Sequence, residues 1–118
     1  MLENKIYHNP RCSKSRSTLA LLKENGIDVP VIAYLETPPT AQELATICEK
    51  LSIAPLALIR TKEALFAELG LHKTDVRSNA EWCDIMAQNP KLIERPIVIY
   101  NGKVALGRPP ENILSLLS

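Results

Sequence analysis

Cys12 is the side chain of this sequence best placed to act as a nucleophile. It follows Asn9-Pro10-Arg11 and opens the stretch SKSRSTLALLKENG, which has polar starters, leucines at 19 and 22, and Gly26 as a stop. A cysteine at the start of such a helix faces outward-pointing N–H groups and the positive end of the macrodipole, both of which stabilise a thiolate. His8, Arg11, Lys14 and Arg16 surround it in sequence, and each can favour the anion further. A free cysteine is more usually a small buried hydrophobe; the helix start and the basic neighbours argue against that here. Cys48, between Leu44 and Leu51 on one helix face, reads as packing. Cys83, next to Trp82, reads as structural, with a resolving thiol as the weaker alternative. His8 ends a strand and reads equally as a partner of the thiolate or as a satisfied structural group. His72 lies in a polar loop and is expected to be solvated.

Arg60, Arg95 and Arg108 each stand at an element boundary, the last two before Pro96 and Pro109. Boundaries and loops are where binding groups collect. A planar guanidinium engages two oxygens of a tetrahedral oxyanion at once, so a set of arginines suits a doubly charged guest; a single one is more often a solvated surface group. The Cys-x5-Arg loop of low-molecular-weight phosphatases is excluded, because position 18 is threonine. Any oxyanion must be held from distant parts of the chain.

The elements that would position these groups follow from patterning. Residues 4 to 8 form a short strand, the helix after Cys12 follows, and Val31-Ile32-Ala33-Tyr34-Leu35 reads as a second, buried strand. A right-handed β-α-β crossover places those strands parallel with the helix on one face. Thr40 with Glu43 and Ser78 with Glu81 are capping-box signatures for two helices. Between them Pro55 opens a helix through Leu58 to Arg60, and Leu65, Phe66 and Leu69 continue the helical character to Gly70. Pro96-Ile97-Val98-Ile99-Tyr100, Asn101-Gly102 and Lys103-Val104-Ala105-Leu106 make a two-residue hairpin. Pro109-Pro110 then start a last helix whose Ile113, Leu114 and Leu117 are expected to face inward. The fold class is therefore α/β and thioredoxin-like: a four-stranded mixed sheet with a helical insertion, about residues 40–90, between β-α-β and β-β-α halves. One domain is expected over residues 1–118. Arg95-Pro96 falls where such folds commonly carry a cis-proline.

Composition narrows the function. Fourteen basic against thirteen acidic residues give a net charge of +1, too little for broad nucleic-acid or membrane-surface binding. No apolar run approaches the roughly 20 residues of a membrane helix, and the first residues lack the pattern of a secretory signal, so a cytoplasmic location is expected. The three cysteines form no CxxC or metal-type pair, which argues for reduced thiols without a metal site. A monomer is the default, since no apolar heptad appears.

The segments IYHNPRCSKSRSTLALL, AYLETPPT, the ALIR ending at Arg60, ELGL, ERPIVI and GRPPE together resemble the glutaredoxin-dependent arsenate reductase family, from about residue 5 to about residue 114. The resemblance implies reduction of arsenate to arsenite with Cys12 as nucleophile. Arg60, Arg95 and Arg108 match the family's oxyanion-binding arginines, and His8 and Ser15 its supporting loop residues. Glutathione would be a co-substrate and a glutaredoxin the external reductant, with no tightly bound cofactor. Arg11 and Ser13-Lys14 depart from the family's small residue and Gly-Thr-like pair and add positive charge beside the nucleophile. A monothiol protein using a Cys12-x-x-Ser15 pattern for mixed disulfides, and an Spx-like partner of RNA polymerase, are the alternatives; Ser15 stands where the switch of the latter has its second cysteine.

Overall fold

A computed structural model describes residues 2–117. The chain divides into two compact units, one formed by Met1–Thr37 with Arg95–Ser118 and the other by Pro38–Glu94.

The first unit carries the sheet. Strands β1 (Lys5–His8), β2 (Val31–Ala33), β3 (Ile97–Tyr100) and β4 (Lys103–Leu106) lie in the order β2-β1-β3-β4. β1 runs parallel to β2 and antiparallel to β3, which pairs antiparallel with β4. This is the mixed thioredoxin-like sheet expected from the element order. The register aligns Ile6 with Val98 and Val98 with Ala105, so one row of small and branched side chains faces the same side. Helix α1 (Ser13–Glu24) and the closing 3-10 helix Pro110–Leu117 cover that side. Leu22, Ile27, Val29, Ile113 and Leu116 pack with the row as a buried aliphatic core, flanked by the partly buried Leu19 and Leu21. Burying one such side chain stabilises by about 1.5–3 kcal/mol, so this core holds α1 and therefore Cys12 in place. Asn101 and Gly102 both have positive φ, +50° and +78°, as the two-residue primed turn joining β3 and β4 requires.

Two expectations in this unit are corrected. β2 is an edge strand of only three residues, and Val31 is 49% exposed rather than buried. The chain turns directly after it, with the N–H groups of Glu36 and Thr37 both donating to the Ala33 carbonyl, so Leu35 is exposed while Tyr34 swings inward and is buried. The last helix is 3-10 rather than α. Its three-residue period buries Ile113 and Leu116 and leaves Leu114 and Leu117 exposed.

The second unit is helical: α2 (Ala41–Leu51), α3 (Pro55–Leu58), α4 (Ala64–Glu68), α5 (Asn79–Gln88) and the 3-10 turn Pro90–Leu92. Thr40 caps α2 by accepting from the Glu43 N–H at 3.1 Å, and Ser78 and Glu81 cap α5 reciprocally. α2 packs on α5 through Leu44, Ile47 and Cys48 against an α5 face of Trp82, Cys83 and Met86. Phe66 stacks on Trp82 at 6.3 Å between centroids, and Arg77 covers the same indole at 5.5 Å. The expected continuous helical stretch from Pro55 is broken. Ile59 is extended and bridges Ile93, with the Arg60 N–H donating to Leu92 O and the Glu94 N–H to Leu58 O. A branched residue there finds a β partner, which ends α3 at Leu58. Among the described residues no helix is long and apolar enough to cross a membrane.

Gly107 closes the first unit at its tightest point. A methyl group there would meet the Thr18 hydroxyl and sit 2.7 Å from Pro96 Cγ. We expect Gly107→Ala to cost about 1–3 kcal/mol by overpacking, read as a fall in Tm of roughly 5–10 °C. Adding Thr18→Ser should recover part of it; an unchanged Tm in Gly107→Ala contradicts the packing described.

Candidate active site

Cys12 is the N-cap of α1 and sits in extended backbone with φ −95° and ψ 123°. Asn9 builds the loop before it. Its carbonyl accepts the Cys12 N–H at 3.0 Å, its side-chain oxygen accepts the Arg11 N–H at 3.0 Å, and its own N–H donates to Ser15 Oγ at 3.0 Å. An asparagine before proline makes this kind of local turn readily. Asn9 therefore organises the site, a role beyond the chain-breaking one expected of Asn9-Pro10. Arg16 ties down the other side of the loop by donating to the Pro10 carbonyl at 2.9 Å.

The sulfur is nearly enclosed, with Cys12 9% exposed. Burial alone pushes the thiol up. The Ser15 N–H, the Arg95 charge, the Lys14 N–H and a hydrogen bond from Arg95 pull it down, and the balance leaves it lowered. Sγ makes no cap hydrogen bond of ordinary geometry; a large, soft acceptor is served by longer contacts from the N–H groups of the helix start. The other two cysteines are the opposite case. Cys48 is pushed up to about 11 by burial and by Cys83, and Cys83 is raised by burial and by Asp84. All three are free thiols, and Cys12 is the one of them whose pKa is lowered.

Two of the expected arginines meet at this sulfur. Arg108 Nη1 lies 3.9 Å from Cys12 Sγ and donates to the Arg95 carbonyl at 3.1 Å. The backbone reinforces the link, since the Gly107 N–H donates to Pro96 O at 2.9 Å and the Thr18 hydroxyl to Gly107 O at 3.3 Å. The Arg95-Pro96 and Arg108-Pro109 peptides are both cis. Thr18 and Gly107 carry no chemistry, and only a contact 89 residues apart in sequence reveals them. Arg95 acts on the thiol through its charge and a hydrogen bond, and Arg108 stands beside the sulfur at 3.9 Å.

Arg60 belongs to the second unit. There it pairs with Glu63 at 3.1 Å and donates to the Lys91 carbonyl at 3.2 Å, while Lys91 shares Glu63 at 3.3 Å. Ser15 is fully buried on α1, and its hydroxyl serves the Asn9 loop. His8 is buried, and burial with the charges of Arg16 and Lys23 lowers its pKa, so it is neutral near pH 7. His72 is exposed. No group of three or more His, Cys, Asp or Glu side chains able to hold a metal occurs among the described residues.

The arrangement is a buried nucleophile with two guanidinium groups at its face, able to attack an anion that the same guanidinium groups would attract. Comparison with known proteins bears on it directly. The chain is 50% identical over 114 residues to an uncharacterized protein of Escherichia coli, covering 96% of this chain and 95% of that one. It is 49% identical over 118 residues to an arsenate reductase of Neisseria meningitidis, covering 99% of this chain and all of the relative. An arsenate reductase structure from Vibrio cholerae superposes with a TM-score of 0.89 at 48% identity, covering 96% of each chain. The ArsC family pattern matches residues 7–116, which takes in Cys12 and the three arginines. With matches of this extent, the chain belongs to the ArsC family.

Proposed function

We propose that this protein reduces arsenate to arsenite in the cytoplasm, with Cys12 as nucleophile, glutathione as co-substrate and a glutaredoxin as the final reductant. The observation that carries the reading is the meeting of Arg95 and Arg108 at the Cys12 sulfur, Arg108 Nη1 lying 3.9 Å from it. A thiolate approaching a dianion is repelled in water. Guanidinium groups already fixed at the sulfur offset that repulsion without reorganising at the moment of reaction. The arsenate reductases among its relatives, at nearly half identity over the full chain, support the substrate class.

The Cys12 thiolate attacks arsenic, an S–As bond forms, and a protonated oxygen leaves as water without change of oxidation state. The glutathione thiolate then attacks Cys12 Sγ, forming an S–S bond, and the S–As electron pair stays on arsenic, which becomes trivalent. A glutaredoxin thiolate takes the glutathionyl group and releases Cys12. That external route suits the chain because Ser15, not a second cysteine, occupies the position three residues on. Ser15 and Asn9 keep the loop fixed through the cycle, and His8 supports it as a neutral ring. Arg60 enters as the third oxyanion ligand on the strength of the family match.

Purified protein with arsenate, glutathione and glutaredoxin should form arsenite. Cys12→Ser should abolish it, Arg95→Ala and Arg108→Ala should lower kcat/KM by about 10²–10³, and Arg60→Ala should act mainly through KM, by roughly tenfold. Arsenite formation that survives in Cys12→Ser sinks the reading. Glutathione exchange at Cys12 with no arsenite formed by the wild type would make the protein a monothiol mixed-disulfide protein instead.

A further inference from the structure

We infer that Arg11 and Lys14 form a selective docking patch for a small thiol that carries carboxylates, drawing it to the Cys12 sulfur once that sulfur is part of an adduct. The inference rests on the reading above in taking glutathione as the reducing thiol, and adds which side chains choose it. Arg11 immediately precedes the nucleophile. Its N–H is fixed by Asn9 Oδ1 while its side chain is exposed. Lys14 occupies the second position of α1, its N–H acts on the sulfur, and its side chain is exposed too. The two exposed cations thus stand one residue before and two residues after Cys12 in the chain.

Their neighbours in sequence carry no counter-charge. No acidic residue occurs between Glu3 and Glu24, and the first turn of α1 holds none. Elsewhere the chain does pair its arginines: Arg60 with Glu63 and Arg77 with Asp75. Arg16, the remaining cation of the loop, is turned back to the Pro10 carbonyl. A chain with net charge +1 therefore concentrates positive charge at the mouth of its nucleophile. Arg95 and Arg108 already act on the sulfur, where the oxyanion would sit, so Arg11 and Lys14 are left for the second reactant. Glutathione fits that role by charge, having two carboxylates and one ammonium, with its thiol between the carboxylate-bearing ends. Two exposed charges so near the nucleophile in the chain should favour it about five- to tenfold at low ionic strength, and salt should screen the effect.

The test loads Cys12 as a mixed disulfide with 2-thiopyridine, a neutral leaving group; Cys48 and Cys83 are buried and raised, and stay unreacted. An incoming thiolate attacks Cys12 Sγ, forms the new S–S bond and expels 2-thiopyridine, whose release is timed with glutathione, 2-mercaptoethanol or cysteamine. The wild type should show a glutathione-to-cysteamine rate ratio about five- to tenfold above that of Arg11→Ala/Lys14→Ala. The excess should vanish in high salt, return in Arg11→Lys/Lys14→Arg, and leave the 2-mercaptoethanol rate nearly unchanged. A ratio equal in the wild type and the double Ala variant overturns the inference. So does a charge effect seen with a glutaredoxin but not with free glutathione, which would give the patch to a protein partner. No arsenate is present, so the two claims fail separately: selective exchange without arsenite formation sinks the proposed reaction alone, and arsenite formation without selective exchange sinks this inference alone.

Discussion

A thiolate kept in a nearly enclosed position is the interaction on which the rest depends. Burial works against it, and only groups that hold positive potential at the sulfur can reverse the balance. In this chain they come from separate sources: the N–H groups of Ser15 and Lys14 at the start of α1, and the guanidinium of Arg95 from the other end of the sequence. Because potential falls off with distance, both sources have to be placed within a few ångströms. That requirement explains why so much local structure serves one atom. Asn9 sets the loop with three hydrogen bonds, and the aliphatic core pins α1 to the sheet.

The C-terminal segments meet the same requirement by a different route. Arg95 and Arg108 are thirteen residues apart and lie at the two outer ends of the β3-β4 hairpin. The turn at Asn101-Gly102 brings those ends together, and the bond from the Gly107 N–H to Pro96 O fixes their spacing. Gly107 is glycine because Thr18 and Pro96 leave no room for a side chain. Thr18 in turn lies on α1 between the buried Ser15 and Leu22, so the helix that carries the nucleophile is tied directly to the segment that carries its counter-charges.

Much of this was legible in the sequence because it is encoded locally. The Asn101-Gly102 turn, the caps at Thr40 and Ser78, the helix after Cys12 and the packing character of Cys48 and Cys83 each follow from residues within a few positions of one another. What was not legible is set by distant partners. Val31 looks like core until the strand order makes β2 an edge. Ile59 looks helical until Ile93 is found opposite it, and the last segment looks α-helical until its three-residue period buries Leu116 in place of Leu117. The same holds at the site. Cys12 announces itself by position, and the arginines by standing at boundaries, but Thr18 and Gly107 are ordinary residues until they touch. His8 offers no such signal in sequence either: its burial and the two nearby cations that lower its pKa come from the fold.

The central claim is that the thiol of residue 12 titrates below its ordinary range because Arg95 and the α1 N–H groups favour the thiolate. Its most direct measurement is the pH dependence of alkylation of Cys12 by iodoacetamide, in the wild type and in Arg95→Ala. Thiolate fraction rises with pH through the folded-state pKa, so a lowered pKa moves the midpoint of the rate profile down. The account predicts a wild-type midpoint below the value of about 8.5 for an ordinary thiol, and an upward shift in Arg95→Ala. A wild-type midpoint at or above that value, unmoved by the substitution, would contradict it.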